Sequence, residues 1–332
     1  DLVRSRGLGD VYKRQVLRLS AALLLGLLLA GCSKLFFYPM SPWVQNPENQ
    51  GLQYEDIVLI HPRGMRIHGW WLPAADDAPA RGTVYFLHGN AQNISTHLAN
   101  VQWLPARGYN VFLLDYRGYG LSEGKPRLPD VFDDVQLGLD WLRHARRTDG
   151  APLVVFGQSL GASMAASVLG EEGNAGAADC VILEAAFASY RDITSDVMKR
   201  SWLLWPLRWM VVPSMPDRAL DPEERVAHIA PTPLLVMHSE DDPVIPYAHG
   251  ERLYAAAAQP KTFQKLRGGH TESTRDPAVQ QRLVDFMQDN DCAAEVTKAE
   301  EAPESSAERG GEEPPALPVP APISTPDNGY RF

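Results

Sequence analysis

A serine, several carboxylates and a histidine occupy positions in this chain that suit nucleophilic catalysis. Ser159 sits in Phe156-Gly157-Gln158-Ser159-Leu160-Gly161-Ala162, after the apolar run 153–156 and before a small-residue run at 162–169. The pattern spells strand, sharp turn and helix, with the serine at the apex. Strand and helix backbones nearly collide at such a turn. Gly157 and Gly161 give the room, and the strain lifts the Ser159 hydroxyl above the sheet edge. The plainer alternative is a helix-capping serine.

A hydroxyl alone is a poor nucleophile. It needs a base to take its proton and an acid to fix that base in one tautomer. Residues 232–238 form a short apolar strand that ends at His238 and runs into the acidic loop Ser239-Glu240-Asp241-Asp242-Pro243-Val244-Ile245-Pro246. Residues 261–266 read as another strand, followed by Arg267-Gly268-Gly269-His270-Thr271. His270 is the candidate base, and Asp242 and Asp241 are candidate acids. Glu184, closing the apolar strand 180–183, is a third, although a strand-end carboxylate more often anchors a loop. The oxyanion needs preorganised N–H donors. Leu160, directly after the serine at a helix N-terminus, offers one. The loop His88-Gly89-Asn90-Ala91-Gln92-Asn93, after the strand 83–87, offers the other. The Asn90 N–H is favoured, with Ala91 as the near alternative, and Gly89 lets the backbone turn close to the substrate. His88 suits a structural role in this loop. His68, His97, His144, His228 and His249 read as surface or satisfied histidines. No His, Cys and Asp spacing suits a metal and no Gly-rich loop suits a phosphate, so neither a metal nor an organic cofactor is expected.

Taken together, HGNAQN, LLDYRGYGLSEG, GQSLGA, HSEDDPVIP and GGH resemble the α/β-hydrolase superfamily, and its lysophospholipase-like, acyl-protein-thioesterase-like and serine-aminopeptidase-like branch in particular. The resemblance runs from about residue 54 to about residue 288. It implies an α/β fold with a mostly parallel sheet, helices on both faces, antiparallel first strands and a small helical cap. The chain order Ser, Asp, His agrees with it. Its register, four residues after the strand-end His238, implies Asp242 as the acid. Ser239 departs from the pattern, standing where many relatives carry glycine.

The elements that must position these groups follow from periodicity. Residues 54–60 and 65–72 flank the turn signal His61-Pro62-Arg63-Gly64 and predict a hairpin. Strands at 83–87 and 110–115 then alternate with helices near 96–107 and 130–146, which predicts a parallel sheet. Such sheets place sites beyond the carboxyl ends of their strands. Asn90, Ser159, Asp242 and His270 all fall there. The segment 115–120 lies at the same edge and reads as loop scaffolding. Residues 185–225 form the expected cap, centred on Trp202, Trp205 and Trp209. Two readings stand for that centre: a helix packed over the core, or an apolar lid that meets acyl chains or a membrane surface.

The chain opens without methionine, and residues 1–12 read as read-through sequence outside the fold. Lys13, Arg14 and Arg18 precede the uncharged run 19–30, which ends in Leu29-Ala30-Gly31-Cys32. That run is shorter than the roughly 20 residues of a membrane span and fits a signal-peptide core. The motif resembles a bacterial lipobox, which implies lipid on Cys32, a membrane tether at residues 32–53 and a place in the bacterial cell envelope; a short transmembrane anchor is the alternative. From Asp291 to Phe332 there are nine acidic and three basic residues and seven of the 27 prolines, with no periodicity. Such a segment cannot bury enough surface to order itself, which predicts a disordered tail. Removing both ends leaves about 260 residues, enough for one hydrolase domain. The net charge of −10, without a basic stripe, speaks against nucleic acid. Cys180 reads as a buried thiol and Cys292 as the start of the mobile tail, so no disulfide between them is expected. The chain is expected to be a monomer. It is expected to cleave esters or thioesters of an apolar acyl group, with a peptidase and a non-catalytic envelope binding protein as alternatives.

Overall fold

The computed structural model describes residue 15 and residues 36–75, 79–144 and 150–294. Cys32, the apolar run 19–30 and the tail beyond residue 294 lie outside the described residues.

The strands, in chain order, are β1 (Tyr38–Pro39), β2 (Glu55–Ile60), β3 (Arg66–Leu72), β4 (Gly82–Leu87), β5 (Ala91–Gln92), β6 (Tyr109–Leu114), β7 (Leu153–Gln158), β8 (Cys180–Glu184), β9 (Leu234–Ser239) and β10 (Lys261–Leu266). Eight of them form one sheet in the order β10-β9-β8-β7-β4-β6-β3-β2. β2 and β3 pair antiparallel, β3 meets β6 antiparallel, and every other neighbouring pair is parallel. The fold is the α/β-hydrolase arrangement that the motifs implied. β2, at the edge, alternates: Ile57 and Leu59 are buried while Val58 and Ile60 are exposed. The central strands β4, β7, β8 and β9 are buried throughout and are near-continuous apolar runs, as expected for strands covered on both faces.

Period-2 alternation divides these strands between two cores. Tyr85, Val155, Val181 and Leu183 pack on one face, with the helices Val131–His144 and Leu160–Leu169. Val84, Phe86, Val154, Phe156 and Ile182 pack on the other, with the helix Pro277–Asp289. The helix expected near 96–107 is broken into Ile94–His97 and short turns at Leu98–Asn100 and Pro105–Arg107. The cause is local. The Asn100 carbonyl accepts from the Trp103 indole N–H, Pro105 has no N–H to give, and Gly108 closes the last turn at φ 83°.

Cys180 and Cys292 are joined in a disulfide, Cα to Cα 5.9 Å, which corrects the expectation that they stay apart. Cys180 faces the same core as the helix Pro277–Asp289. The chain turns back after that helix with Asp291 at φ 57°. The Cys292 N–H then donates to the Met287 carbonyl at 2.7 Å, and the Ala294 N–H donates to the Arg81 carbonyl at 2.6 Å. Cys292 is therefore docked and fully buried rather than the start of a mobile arm. The bridge closes a sequence separation of 112 residues, for which about 2–4 kcal/mol of stabilisation is typical. Cys292→Ser is expected to lower the urea midpoint accordingly, and a melt of both proteins with and without reductant checks it.

The cap lies between β8 and β9. Tyr190, Ile193 and Met198 of the helix Tyr190–Lys199 are buried, and Leu204, Leu207 and Val211 pack inward. Trp202, Trp205 and Trp209 do not; they face solvent. The lead-in also packs against the body. Phe36 and Phe37 join the core, and β1 pairs with β5 in parallel, Tyr38 opposite Ala91.

Candidate active site

Ser159 stands between β7 and the helix Leu160–Leu169 at φ 55° and ψ −118°, in the left-handed half of backbone space. A Cβ on Gly157 would strike the Ala162 backbone, and one on Gly161 would strike the Leu87 and His88 carbonyls. Both glycines are therefore required by close backbone approach, and the turn is strained at its apex. The serine side chain makes no capping hydrogen bond, so the capping reading fails. Its Oγ lies 2.8 Å from His270 Nε2 instead.

His270 follows β10, and its Nδ1 lies 2.7 Å from Asp242 Oδ2. The carboxylate can only accept, so Nδ1 carries the proton and Nε2 presents a lone pair to the serine hydroxyl. Asp242 Oδ1 accepts from the N–H groups of Val244 at 2.7 Å and Ile245 at 2.9 Å. Burial alone would raise this carboxyl. The His270 hydrogen bond and charge, with the two N–H donors, outweigh it and hold Asp242 below the usual carboxylate range. Asp241 points elsewhere: it is about half exposed and faces Arg267 at 3.5 Å.

Glu184 is not bonded to His270. It is a buried anchor beneath the site. Its Oε2 accepts from Gln158 Nε2 and its Oε1 from Ser273 Oγ, both at 2.7 Å, while its carbonyl accepts from the Ser159 N–H at 2.8 Å. It therefore ties the serine turn to the histidine loop. Burial outweighs these bonds and raises its pKa. Ser239, the departure from the family pattern, adds a second tie, donating to the Gly268 carbonyl at 2.7 Å. Neither tie is legible in local sequence, because each spans elements far apart in the chain.

The loop holding Asn90 is braced from three sides. The Asn90 carbonyl accepts from the Tyr38 N–H at 2.9 Å and the Tyr119 hydroxyl at 2.6 Å. The Tyr116 hydroxyl donates to the His88 carbonyl at 2.9 Å. His88 Nδ1 donates to the Gly89 carbonyl at 2.7 Å. In a trans peptide the C=O and the N–H point in opposite directions, so fixing the Gly89 carbonyl aims the Asn90 N–H the other way. Burial keeps His88 neutral, its pKa well below the ordinary imidazole value. His97 is likewise satisfied, donating to the Ala91 carbonyl at 3.0 Å. At the opposite donor, the first N–H groups of a helix have no intrahelical acceptor, which leaves Leu160 available. Asn90, Ser159 and Leu160 line one open cleft, walled by Phe36, Phe187, Ile193, Val197 and Ile245. A carbonyl carbon beside Ser159 Oγ would lie next to a hydroxyl hydrogen-bonded to an imidazole, in a cleft with mostly apolar walls.

Asp115, beneath the same loop, accepts from the Ile94 N–H at 2.9 Å, and its Oδ1 is 3.5 Å from His88 Nε2. Burial raises its pKa to about 7, against the opposing Ile94 and Trp43 contacts. The unfolded chain releases this proton near pH 4. Between about pH 4 and pH 7 the folded state therefore holds a proton that the unfolded state has lost, and stability falls as pH rises through that window. The full cost is on the order of 4 kcal/mol. Asp115→Asn is expected to remove this dependence. The gain of the variant over the wild type in urea midpoint grows from pH 5 to pH 8; an equal offset at both values would show the carboxyl to be ionised throughout.

Comparison with known proteins agrees with this architecture. Residues 78–227 match the family described as serine aminopeptidase, S33, and residues 201–300 match the TAP-like protein family. An uncharacterized Escherichia coli protein, YfhR, is 34% identical over 260 residues, covering 76% of this chain and 86% of that one. The α/β hydrolase domain-containing protein WAV2 of Arabidopsis thaliana is 32% identical over 252 residues, 70% of this chain and 77% of its own. Lysophosphatidylserine lipase ABHD12 of Danio rerio is 29% identical over 244 residues, 66% of this chain and 63% of its own. Among solved structures, the Pyrococcus furiosus esterase Pf2001 superposes with a TM-score of 0.61 at 18% identity, over 76% of this chain and 98% of that one. A parallel sheet with a strained serine turn at its carboxyl edge, and relatives sharing a third of their residues over most of their length, place this chain in the α/β-hydrolase superfamily.

Proposed function

We propose that the protein is a serine hydrolase that cleaves carboxylic ester or thioester bonds carrying an apolar acyl group. The observation that carries this reading is the unbroken path from Ser159 Oγ to His270 Nε2 at 2.8 Å and from His270 Nδ1 to Asp242 at 2.7 Å. Ser159 attacks the carbonyl carbon while His270 takes its proton. Asp242 holds the imidazole in its tautomer and stabilises the imidazolium. The N–H groups of Leu160 and Asn90 receive the oxyanion. His270 then protonates the leaving group, and water repeats the sequence to free the acid. The apolar walls of the cleft support an acyl substituent, and the similarity to lysophosphatidylserine lipase ABHD12 points the same way.

The description of the matched family raises the peptidase reading. Binding a free α-ammonium calls for a carboxylate facing the substrate, and among the described residues lining the cleft none is acidic. The ester reading is therefore preferred. The proposal includes a lipid anchor at Cys32 in a bacterial envelope, supported by the lipobox-like Leu29-Ala30-Gly31-Cys32 and by a disulfide, which persists in oxidising compartments.

A fluorophosphonate probe tests the chemistry. Labelling of the wild type but not of Ser159→Ala is expected; a folded wild type that stays unlabelled would sink the enzymatic reading. Hydrolysis of p-nitrophenyl esters of rising chain length, set against aminoacyl anilides, then separates esterase from peptidase.

A further inference from the structure

We propose that the exposed apolar face of the cap is a docking surface for an anionic phospholipid bilayer. This is independent of the chemistry assigned to Ser159. Trp202 is 87% exposed, Trp209 72%, Leu203 62% and Trp205 52%. Large apolar side chains clustered in solvent mark an interaction site rather than ordinary surface, and a cluster of tryptophans suits the headgroup layer, where an amphipathic ring meets both phases.

Charge selects the occupant. From residue 197 to residue 216 the chain carries Lys199, Arg200 and Arg208 and no acidic residue, in a protein of net charge −10. The Arg208 guanidinium lies 5.1 Å from the centroid of the Trp205 ring. Lys199 is partly neutralised by Asp196 at 2.8 Å, and the two arginines remain as the attraction to anionic headgroups. A cationic, tryptophan-rich patch on an acidic protein is complementary to such a surface and not to a second copy of the same patch.

Position gives the patch a purpose. Arg200 donates to the Pro243 carbonyl at 2.9 Å, binding the cap to the loop that carries Asp242 and Val244. Val197, on the helix leading into the patch, and the 43% exposed Val244 both line the cleft. A bilayer touching the patch would meet the mouth of the cleft. The chain upstream of the described body leaves from Phe36, another wall of the cleft. Cys32 stands four residues before it, within a reach of about 14 Å, so an anchor there holds the same side to the membrane.

The test is flotation of the chain from Ser33 onward, which keeps every described residue from Phe36 and lacks the apolar run and Cys32, with vesicles of phosphatidylcholine, with and without phosphatidylglycerol. The wild type is compared with Trp202→Ser/Trp205→Ser/Trp209→Ser and with Arg200→Glu/Arg208→Glu. The tryptophan variant is expected to lose at least about tenfold in affinity for both vesicle types. The arginine variant is expected to lose about fivefold per charge, on phosphatidylglycerol vesicles alone. Blue-shifted tryptophan emission on binding, absent in the triple variant, supports the contact directly. Retained binding by a folded triple variant of that chain overturns the proposal, since the tryptophans would then not be the membrane contact. So does concentration-dependent dimerisation of the wild type that the triple variant abolishes. If the triple variant does not fold, Trp202→Ser alone, at the most exposed position, serves in its place.

Discussion

Ser159→Ala is expected to lower kcat/KM for a short p-nitrophenyl ester by on the order of 10⁴-fold or more. The substitution removes one oxygen whose hydrogen bond runs to His270 and leaves the turn intact. Alanine and serine meet the same penalty at φ 55°, and the glycines that set the turn are untouched. The unfolding midpoint should therefore stay close to that of the wild type while turnover vanishes. Residual rate from oxyanion stabilisation and binding is expected above the uncatalysed reaction. Loss of less than tenfold, read from steady-state kinetics, would mean that another residue is the nucleophile.

Asp242→Asn is expected to reduce kcat by roughly 10⁴-fold, and the reason lies in the hydrogen bonds around the side chain. The two N–H donors of Val244 and Ile245 keep the amide oxygen on their side. The amide NH₂ is then turned toward His270 Nδ1 and donates to it. That forces the proton of the imidazole onto Nε2, where it faces the serine hydroxyl and cannot accept from it. The lesion is a wrong tautomer in an undisturbed frame. Asp241→Asn removes only a half-exposed contact with Arg267 and should change the rate by less than about twofold. The pair of variants decides between the two neighbouring carboxylates by kinetics alone. Equal losses would falsify the assignment of the acid.

Much of this architecture was legible in local pattern. The sheet strands from β2 onward announced themselves as apolar runs or alternations, and Gly157 and Gly161 marked a turn whose steric demand the backbone contacts explain. Tyr116 and Tyr119, read as loop scaffolding, brace the Asn90 loop through their hydroxyls. What escaped were features made by long-range meeting. The Glu184 anchor needs Ser273, 89 residues away. The disulfide needs a turn at Asp291 that no composition signals. The 96–107 segment has helical periodicity, but a side chain on the Asn100 carbonyl and a proline at 105 override it. The cap divided within one stretch: Leu204 and Leu207 turned inward, and Leu203 and the three tryptophans outward, a choice that a sequence rich in both cannot specify.

The pairing of β1 with β5 bears on how this enzyme is handled. Tyr38 supplies an N–H to the Asn90 carbonyl, and Phe36 is a side of the cleft. The matched family region begins only at residue 78. A recombinant fragment trimmed to the visible hydrolase motif, starting at Tyr54 for instance, would retain every strand of the large sheet together with Ser159, His270 and Asp242. It would nevertheless lose the bond that buttresses the Asn90 loop and the Phe36 wall of the cleft, so a soluble but sluggish preparation would reflect where the gene was cut.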